Sequence, residues 1–433
     1  MTGSPTPWPL IGHALQFVRD KPGFLRACHQ RYGDCVRLNI GGPTWLLNDP
    51  ADVKRVLVDG ADRYEKTPKL TSARGRALSG VGLHTATGLD HLYLRRMVQP
   101  LFHRRVVEGH AGLARAEADR ALGGWKAGQT IDLWEEMLGL SQRVMIAALF
   151  GAAFVDQGSR FARAVTNRRS YYEFFFTSNL PWPEHWPLPV VRRYQRARHT
   201  LESIIDGQIA DRRRHGPAGG DDWLSMLVSA VGRDGTRLTD RQIRDEAITL
   251  TSTGYETVAA ALTWTGHLLS RHPSVQRAVR EEVAGSAETA QAPLLERVLN
   301  ESMRLFPPTW LFVRVAVAED TLPSGARVRP GDKIYLSPYT MHRHPDWYAR
   351  PDQFDPEHFS DEATSGRPRF AFYPFGGGAR QCIGEPFARL EMAVVVAAIL
   401  RRFRLEPLDA GPVPLRPSIV LEPRGGLRVR LAD

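Results

Sequence analysis

The spacing of apolar residues changes along the chain, and this change predicts where helices and strands lie. Apolar side chains recur at a helical period over Asp240–Arg271 and over residues 386–402, which predicts two long helices. Short segments of alternating apolar character predict strands, and they lie near both ends of the chain, at residues 35–40, 44–47, 313–316, 333–336 and 427–431. Charged, glycine-rich stretches at residues 212–222 and 285–292 predict loops between helices.

The order of these elements predicts the fold class. Because the strands flank a helical bulk and do not alternate with helices, we expect a mainly α (α+β) protein and not a doubly wound sheet. Hydrophobic residues make up 42% of the 433 residues, which is enough for a sizeable core. We expect a single domain over residues 1–433, with a β-rich N-terminal part at about 1–65 and a helical bulk at about 66–433.

Charge and cysteine content narrow the class of protein. The net charge is +10, but no zinc finger, aromatic RNA-binding signature or basic tail accompanies it, so we expect an acidic protein partner and no nucleic acid. Cys28, Cys35 and Cys382 form no C-x-x-C motif, which excludes a zinc ribbon or disulfide framework and agrees with a cytoplasmic location. No apolar run is long enough to span a membrane, and the N-terminus lacks a signal-peptide pattern.

The most informative segment contains Cys382, in the run Phe-Gly-Gly-Gly-Ala-Arg-Gln-Cys-Ile-Gly that ends at Gly384. Consecutive glycines let a backbone bend tightly and approach a bulky group. Apolar residues at helical spacing begin at Ile383, so the cysteine is predicted to lie at a helix N-terminus, where the dipole and free N–H groups stabilise a thiolate. Arg380 adds a positive charge nearby. The alternative is a turn with an ordinary buried cysteine.

Phe375, Gly378, Arg380, Cys382 and Gly384 resemble the haem-ligand loop of the cytochrome P450 family. The resemblance implies a P450 fold, a large helical domain with a small β-sheet region, and a haem-binding core within residues 66–433. It also implies haem b (iron protoporphyrin IX) with Cys382 as the metal ligand. A thiolate on haem iron favours cleavage of the O–O bond.

A second motif, Thr-Gly-Tyr-Glu-Thr at residues 253–257, falls inside the long predicted helix. Threonine and glycine are poor helix formers, and a threonine hydroxyl can bond back to a carbonyl one turn earlier, so we expect a local bulge. The motif resembles the family's oxygen-activation motif, which implies that Glu256 and Thr257 relay protons. Thr253 stands where a smaller residue is usual and Val258 where a second hydroxyl is common. The alternative is a polar kink between packed helices.

Glu301 and Arg304 lie on one face of a predicted helix. Their context resembles the family's Glu-x-x-Arg helix, in which the pair is buried and structural. His358 stands where the family usually supplies an arginine to the same cluster. His342 and His344 suggest a metal site at first sight, but their segment matches a structural turn of the family, with His344 where an acidic residue is more usual.

The resemblance also implies haem-propionate donors and a substrate pocket. The donors are His91 and Arg95, four residues apart on a predicted helix, together with Arg314 and Arg380. For Arg96 we prefer an ordinary exposed cation. The predicted substrate contacts are Leu83, Leu250, Thr253, Trp310, Phe312 and Val420. An aromatic cluster that includes Tyr171, Phe176, Trp182 and Trp186 is predicted to lie on a lid or in the core.

We therefore expect a monooxygenase that inserts one oxygen atom from O2 into a C–H or C=C bond of a hydrophobic terpenoid, polyketide or fatty acyl substrate of specialised metabolism. The chain has no flavin or iron–sulfur module, so the resemblance implies electrons from a ferredoxin and a ferredoxin reductase that uses NAD(P)H. A basic face with Arg104, Arg105 and Arg389 is predicted to dock the ferredoxin or an acyl-carrier protein. The alternatives are a peroxide-dependent or isomerising haem-thiolate enzyme, a non-catalytic haem sensor or electron carrier, and a helical binding protein without haem.

Overall fold

Helices form most of the protein in the computed structural model, which describes residues 4–155, 158–177, 188–216, 222–285 and 292–433. The α-helices are α1 (Ala14–Arg19), α2 (Lys21–Tyr32), α3 (Pro50–Lys54), α4 (Pro68–Thr71), α5 (Ala73–Ser79), α6 (Gly88–Val98), α7 (Arg104–Gly109), α8 (Ala111–Leu122), α9 (Leu133–Phe150), α10 (Ala152–Val155), α11 (Ser159–Thr177), α12 (Pro189–His215), α13 (Trp223–Ser229), α14 (Asp240–Arg271), α15 (Pro273–Gly285), α16 (Pro293–Leu305), α17 (Pro338–Met341), α18 (Asp361–Thr364) and α19 (Glu385–Arg402).

The strands are short and lie in small sheets. They are β1 (Cys35–Asn39), β2 (Pro43–Leu47), β3 (Tyr64–Lys66), β4 (Thr130–Asp132), β5 (Phe312–Ala316), β6 (Asp320–Thr321), β7 (Arg327–Val328), β8 (Lys333–Leu336), β9 (Arg404–Pro407), β10 (Leu415–Pro417), β11 (Leu421–Pro423) and β12 (Arg428–Ala432). A π-helical turn covers Arg55–Asp59, and a 3-10 turn covers Gly378–Arg380. The predicted mainly α class with a small β region is confirmed.

Most predicted elements are found near their expected positions, with one clear error. The helix at Asp240–Arg271 has the predicted bounds, and α19 begins one residue before the predicted position 386. The loop predicted from residue 212 is wrong in its first part, because α12 continues to His215. Arg212 is buried there, 3.1 Å from the Asp222 carboxylate and 3.0 Å from the Phe150 carbonyl oxygen, so it belongs to the packed helix. Residues 286–291 of the second predicted loop lie outside the described residues.

The chain divides into two units, each made of three separate segments. The first unit comprises Met1–Thr67, Trp264–Glu385 and Ala410–Gly425, and the second comprises Pro68–Thr263, Pro386–Asp409 and Gly426–Asp433. The single domain over residues 1–433 stays a prediction.

The first unit contains a five-stranded sheet in the order β1-β2-β8-β5-β3. β1 and β2 form an antiparallel hairpin, β2 pairs with β8 in parallel, and β5 pairs antiparallel with both β8 and β3. A buried cluster that includes Trp45, Leu57, Ile334, Phe370 and Tyr373 joins this sheet to the segment that precedes the Cys382 loop. The sheet thereby provides a packed base for that loop.

The second unit is mainly helical and contains the sheet β4-β12-β9. The sequence pattern did not predict β4, which is only three residues long. The second half of helix α9 is buried without interruption from Val144 to Phe150, which agrees with its continuous apolar sequence there. The Asp132 carboxylate accepts hydrogen bonds from the N–H groups of Trp134 and Glu135 and so caps this helix.

Candidate active site

A glycine-rich loop carries Cys382 to a point shortly before α19 begins. Gly376 and Gly378 have φ angles of 74° and 68°, in the left-handed region that favours glycine. A Cβ atom on Gly378 would lie 2.0 Å from the carbonyl oxygen of Leu57, so no other residue fits at this position. The N–H group of Cys382 donates to the carbonyl oxygen of Phe375 at 2.9 Å, which closes the loop.

The three cysteines differ in their capacity to act as thiolates. Burial raises the pKa of Cys28 to about 12 and the pKa of Cys35 to about 11, so both thiols stay protonated near neutral pH. Cys382 is the exposed one of the three. The sulfur atom suited to bind a metal is therefore that of Cys382.

Two of the predicted propionate donors, Arg314 and Arg380, lie in the first unit near Glu65. Nη2 of Arg380 lies 2.8 Å from the Glu65 carboxylate, and its Nη1 donates to the carbonyl oxygen of Tyr64 at 2.7 Å. Arg314 donates to the carbonyl oxygen of Val313 at 3.1 Å. Loss of water around Arg314, together with the positive charge of Arg380, lowers its pKa to about 10. A further anion beside Arg314 would stabilise its charged form.

The other two predicted donors, His91 and Arg95, belong to the second unit. Both lie on α6, where His91 is buried and Arg95 is half-buried one turn later. Arg96, for which we preferred an ordinary surface role, is exposed. The two units thus divide the predicted donors equally.

The middle of α14 is α-helical throughout, so the expected bulge at residues 253–257 is not present. The hydroxyls do bond back to the preceding turn, as the sequence predicted. Oγ of Thr251, Ser252 and Thr253 each donates to the carbonyl four residues earlier at 2.7–2.8 Å. Oγ1 of Thr257 donates to the carbonyl of Thr253 at 3.0 Å. These bonds add to the helical ladder and do not replace it.

Gly254 has a packing role that its motif did not indicate. A Cβ atom at this position would lie 2.1 Å from Cε of Met145 on α9. The absence of a side chain therefore allows Met145 to pack directly against the backbone of α14.

Glu256 is buried between a tyrosine and an arginine that the sequence did not connect with it. The hydroxyl of Tyr255 donates to its Oε1 at 2.8 Å, and Nε of Arg169 on α11 lies 3.4 Å from the same oxygen. Burial and the neighbouring negative charge raise the pKa of Tyr255 well above its usual value, so it remains a donor. The guanidinium of Arg169 lies 5.5 Å from the Trp134 ring centroid. The carboxylate therefore has a fixed orientation.

Two acidic residues of α14 hold the loop that contains the predicted substrate contact Leu83. The Asp245 carboxylate accepts the Val81 N–H at 2.9 Å, and the Glu246 carboxylate accepts the Leu83 N–H at 2.6 Å. The local sequence does not indicate a role for either acid, because their partners lie more than 160 residues away. Of the predicted contacts on α14 itself, Leu250 is buried and Thr253 is exposed.

The remaining predicted substrate contacts lie in the first unit. Trp310 is buried and its indole N–H donates to the carbonyl oxygen of Ser418 at 3.1 Å. Val420 is buried, whereas Phe312 is half-buried. A Cβ atom on Gly376 would lie 3.5 Å from the Phe312 ring, which brings this residue next to the Cys382 loop.

The predicted aromatic lid is described in part. Tyr171 of α11 is buried and stacks on Tyr194 of α12, with ring centroids 4.6 Å apart. Trp182, Trp186 and the side chain of Phe176 lie outside the described residues. The tyrosine pair therefore joins α11 to α12 as core packing.

The predicted buried cluster around Glu301 is confirmed. The Arg304 guanidinium binds the Glu301 carboxylate through two bonds of 2.6 and 2.7 Å, and neither residue is exposed to solvent. The His358 ring contacts the same carboxylate at 3.2 Å, in the place where an arginine was expected. Arg304 also donates to three backbone carbonyls, those of His342, Pro351 and Gln353. These extra bonds compensate for burial of the two charges.

Comparisons with known proteins identify the family to which this chain belongs. The Cytochrome P450 family model matches residues 2–428. The chain belongs to the cytochrome P450 family. It is 34% identical to cyclooctatin synthase of Streptomyces melanosporofaciens, with 97% of this chain and 93% of the relative covered. It is 32% identical to pentalenene oxygenase of Streptomyces avermitilis, with 98% and 95% covered. Together these matches show that the protein is a cytochrome P450 monooxygenase.

Solved structures agree on the fold. The cytochrome P450DA heme domain superposes with a TM-score of 0.89 at 24% identity and covers 100% of this P450 and 97% of that chain. The retinoic acid bound cyanobacterial CYP120A1 gives a TM-score of 0.87, also at 24% identity, with 100% and 98% covered. Within the described part of this P450, no helix combines the length and apolarity that a membrane crossing requires.

The family implies a haem-thiolate cofactor, and the residues of the first unit fit it. Cys382 offers the accessible sulfur, on a loop that glycines alone allow to adopt its path. Arg314 is a desolvated cation that a carboxylate would stabilise. Both features match the chemistry of a metalloporphyrin with acidic side chains.

Proposed function

We propose that this P450 inserts one oxygen atom from O2 into a C–H or C=C bond of an apolar terpenoid. The names of its relatives support the substrate class, since a cyclooctatin synthase, a pentalenene oxygenase and a cyclooctat-9-en-7-ol 5-monooxygenase are all about one-third identical to it. The proposed contacts Leu83, Leu250, Thr253, Trp310, Phe312 and Val420 are apolar apart from Thr253, which suits a hydrocarbon skeleton.

The observation that carries the proposal is the Cys382 loop. We assign Cys382 as the residue that would bind the iron of haem b, with Phe375 and Gly384 in the loop around it and with His91, Arg95, Arg314 and Arg380 as the residues that would donate to its propionates. When bound, a thiolate-ligated haem supplies the activation of O2 and the cleavage of its O–O bond. The close approach of Gly378 to the carbonyl oxygen of Leu57 supports this assignment, because it holds the loop against the first unit without room for a side chain.

Glu256 and Thr257 are proposed to deliver protons. Tyr255 and Arg169 both face Oε1 of Glu256 and hold the side chain in one orientation. The hydroxyl of the adjacent Thr257 donates to the carbonyl oxygen of Thr253 at 3.0 Å, which holds it in one orientation. We propose that this hydroxyl passes on the proton that Glu256 supplies. Residues in such positions contribute about 10²–10⁴-fold to rates in general acid–base catalysis.

Electrons are proposed to come from a ferredoxin and an NAD(P)H-dependent ferredoxin reductase. Arg104 and Arg105 are exposed and Arg389 is half-buried, and these residues lie in the second unit. Arg104 pairs with Glu108 at 2.7 Å, so Arg105 is the better candidate to contact an acidic partner. An acyl-carrier protein that presents a tethered substrate is the alternative acidic partner.

The first test is the carbon monoxide difference spectrum of the reduced protein. We expect a strongly red-shifted Soret band in the wild type and in Cys28→Ala, and loss of this band in Cys382→Ala. An unshifted band in the wild type would contradict thiolate ligation and favour a haem carrier. Retention of the shifted band in Cys382→Ala would contradict the assignment of the ligand.

The second test addresses the substrate class. Sesquiterpene and diterpene hydrocarbons, polyketide lactones and fatty acids are titrated separately into the ferric protein, and displacement of water is followed by the Soret shift. We expect a saturable shift with the terpenoids and a product that carries one atom of ¹⁸O from labelled O2 when a ferredoxin, its reductase and NADPH are supplied. A response to fatty acids alone, or turnover with peroxide and none with NADPH, would contradict the proposal.

A further inference from the structure

Two histidines and an aspartate from distant parts of the chain meet in the first unit. His29 lies in α2, Asp34 in the turn before β1, and His344 in the turn after α17. Oδ1 of Asp34 lies 2.9 Å from Nε2 of His344 and 3.3 Å from Nδ1 of His29. The two imidazole rings have centroids 4.8 Å apart and are tilted by 46°. Three potential ligand atoms therefore lie within 4.8 Å of one another.

One of these atoms is buried without a hydrogen bond. Nδ1 of His29 faces Asp34 but makes no hydrogen bond of acceptable geometry to any residue that the structure describes. The His29 side chain is 10% exposed and the His344 side chain 6%. A buried polar atom without a partner normally costs about 1–3 kcal/mol, so its presence needs an explanation.

The same group is open to solvent on the aspartate side. The Asp34 side chain is 43% exposed, which gives an ion in solvent access to its carboxylate. An aspartate side chain is ordinarily a carboxylate near neutral pH. The arrangement combines an anionic oxygen with two nitrogens and an access path.

We propose that His29, Asp34 and His344 bind a divalent transition-metal ion, with Zn²⁺ as the best match. Two imidazoles and a carboxylate favour zinc and its neighbours over Ca²⁺ or Mg²⁺, which prefer oxygen ligands alone. In a tetrahedral zinc site, ligand atoms at about 2.0–2.2 Å from the metal lie about 3.3 Å apart. The 3.3 Å between His29 and Asp34 already matches this value, and the 2.9 Å contact of His344 needs to open by only a few tenths of an ångström.

Asp346 completes the site as an outer partner of His344. Nδ1 of His344 now accepts the Asp346 N–H at 3.2 Å, so Nε2 carries the ring proton and donates it to Asp34. Metal binding at Nε2 would move that proton to Nδ1, which breaks the bond from the Asp346 N–H and makes Oδ2 of Asp346, now 3.9 Å away, the nearby acceptor once the side chain moves closer. A carboxylate behind a ligating histidine is a common feature of zinc sites.

The site is separate from the haem-binding residues proposed above, and its effect would be on stability. The ion would connect α2 to the turn after α17, which are parts of the chain more than 300 residues apart. Because it binds the folded protein, Zn²⁺ should raise the thermal midpoint in proportion to the logarithm of its concentration once the site is saturated. The neighbouring His342 is not part of the site, since its Nε2 accepts the Tyr373 N–H at 3.0 Å.

The test uses the haem-loaded protein without a histidine tag. After dialysis against a chelator, Zn²⁺ is titrated into it by calorimetry, and X-ray absorption at the zinc edge reports the ligands. We expect one bound ion with nitrogen and oxygen ligands and no sulfur, and a thermal midpoint that rises with Zn²⁺. His29→Gln should abolish saturable binding, and Asp346→Asn should weaken it by about 10–100-fold.

His215→Gln is the matched control. His215 and Asp211 form an exposed pair at 3.0 Å with no third ligand within the described residues, so this change should leave zinc binding intact. Zinc binding that survives in His29→Gln, or sulfur in the zinc coordination shell, would overturn the proposal. Wild-type protein that binds no more zinc than His29→Gln, while both unfold at the same temperature, would show that the three residues form hydrogen bonds only.

Discussion

Glu301 and Glu391 are both completely buried, yet they differ in the hydrogen-bond partners around their carboxyl groups. Glu301 receives two bonds from Arg304, one from the backbone N–H of Asp355 and a contact from His358. Neither oxygen of Glu391 has a hydrogen-bond partner in the described chain, and burial raises its pKa to about 8. The comparison shows that the groups around a carboxyl, more than burial itself, determine whether it can remain charged.

The largest expected effect comes from removing the partner of Glu301. Arg304→Ala leaves a buried charge without its main counter-ion, so we expect the free energy of unfolding to fall by about 3–5 kcal/mol. Urea denaturation of the haem-loaded protein measures this change. Arg297→Ala is the control on the same helix, because the side chains of Arg297 and Glu357 are 30% and 64% exposed, so solvent screens their pair and its loss should cost about 1 kcal/mol or less. Equal losses in the two variants would show that burial of the pair is unimportant.

The next effect concerns Glu391 and pH. Its pKa is about 8 in the folded protein against 4.5 for an ordinary glutamate, so the folded state retains a proton that the unfolded state has lost. The free energy of unfolding should therefore decrease as pH rises from about 4.5 to about 8, by a few kcal/mol, and then level off. Glu391→Gln should remove this slope.

The exposed Glu362 provides the control for that measurement, since Glu362→Gln should leave the slope unchanged. Urea midpoints measured across the pH range distinguish the variants. An unchanged slope in Glu391→Gln would mean that the pKa of Glu391 is not raised.

Unlike Glu391, Glu256 has polar partners within the described chain, because Tyr255 and Arg169 both contact one of its oxygens. Tyr255→Phe removes a hydrogen bond to a charged group, which is worth about 1.5–3 kcal/mol. If the carboxylate must be held in place to deliver protons, we expect the product formed per NADPH to fall by about tenfold.

Tyr348→Phe controls for loss of a buried hydroxyl elsewhere, since the Tyr348 hydroxyl donates to the carbonyl oxygen of Ala371 at 3.1 Å and the phenylalanine ring keeps the packing of the tyrosine ring. The pH profile of turnover is measured for both variants. A shift of this profile in Tyr255→Phe alone would support a role in orienting Glu256, whereas identical behaviour of the two would argue against it.

The smallest expected effect is a change in the Glu391 pKa when the nearby Ser141 hydroxyl is removed. The buried Ser141 hydroxyl opposes the rise of the Glu391 pKa, although no hydrogen bond of normal geometry joins them. In Ser141→Ala the pKa should rise further, so the loss of stability should extend to slightly higher pH. The same urea titrations measure this shift, and a shift towards lower pH would contradict the role of the hydroxyl.

The sequence predicted features that depend on neighbouring residues. The bounds of α14 followed from the apolar period, and the Glu301–Arg304 pair followed from helical spacing. The contact of His358 with the Glu301 cluster was also predicted correctly, because its segment resembles the one from which cytochrome P450 proteins supply an arginine to this cluster. The predicted bulge in α14 was wrong, since the threonine hydroxyls bond to carbonyls that remain within the helical ladder.

Features that depend on contacts between distant residues could not be predicted. Arg169 and Glu256 are on different helices, and the motif that contains Glu256 gives no indication of which arginine contacts it. Gly254 belonged to a recognised motif, but its contact with Met145 requires the packing of α9 against α14. His29 and His344 lie in segments that show no local sign of a shared partner.

The division of each unit into three chain segments has a consequence for synthesis on the ribosome. β2 pairs in parallel with β8, so the first sheet cannot close until residues 333–336 have emerged. The sheet of the second unit needs β12 (Arg428–Ala432) to join β4 to β9, so β4 must also wait for a strand that is made much later. Each sheet therefore depends on a strand far along the chain, and the nascent chain must keep the apolar faces of the earlier strands exposed until that strand emerges.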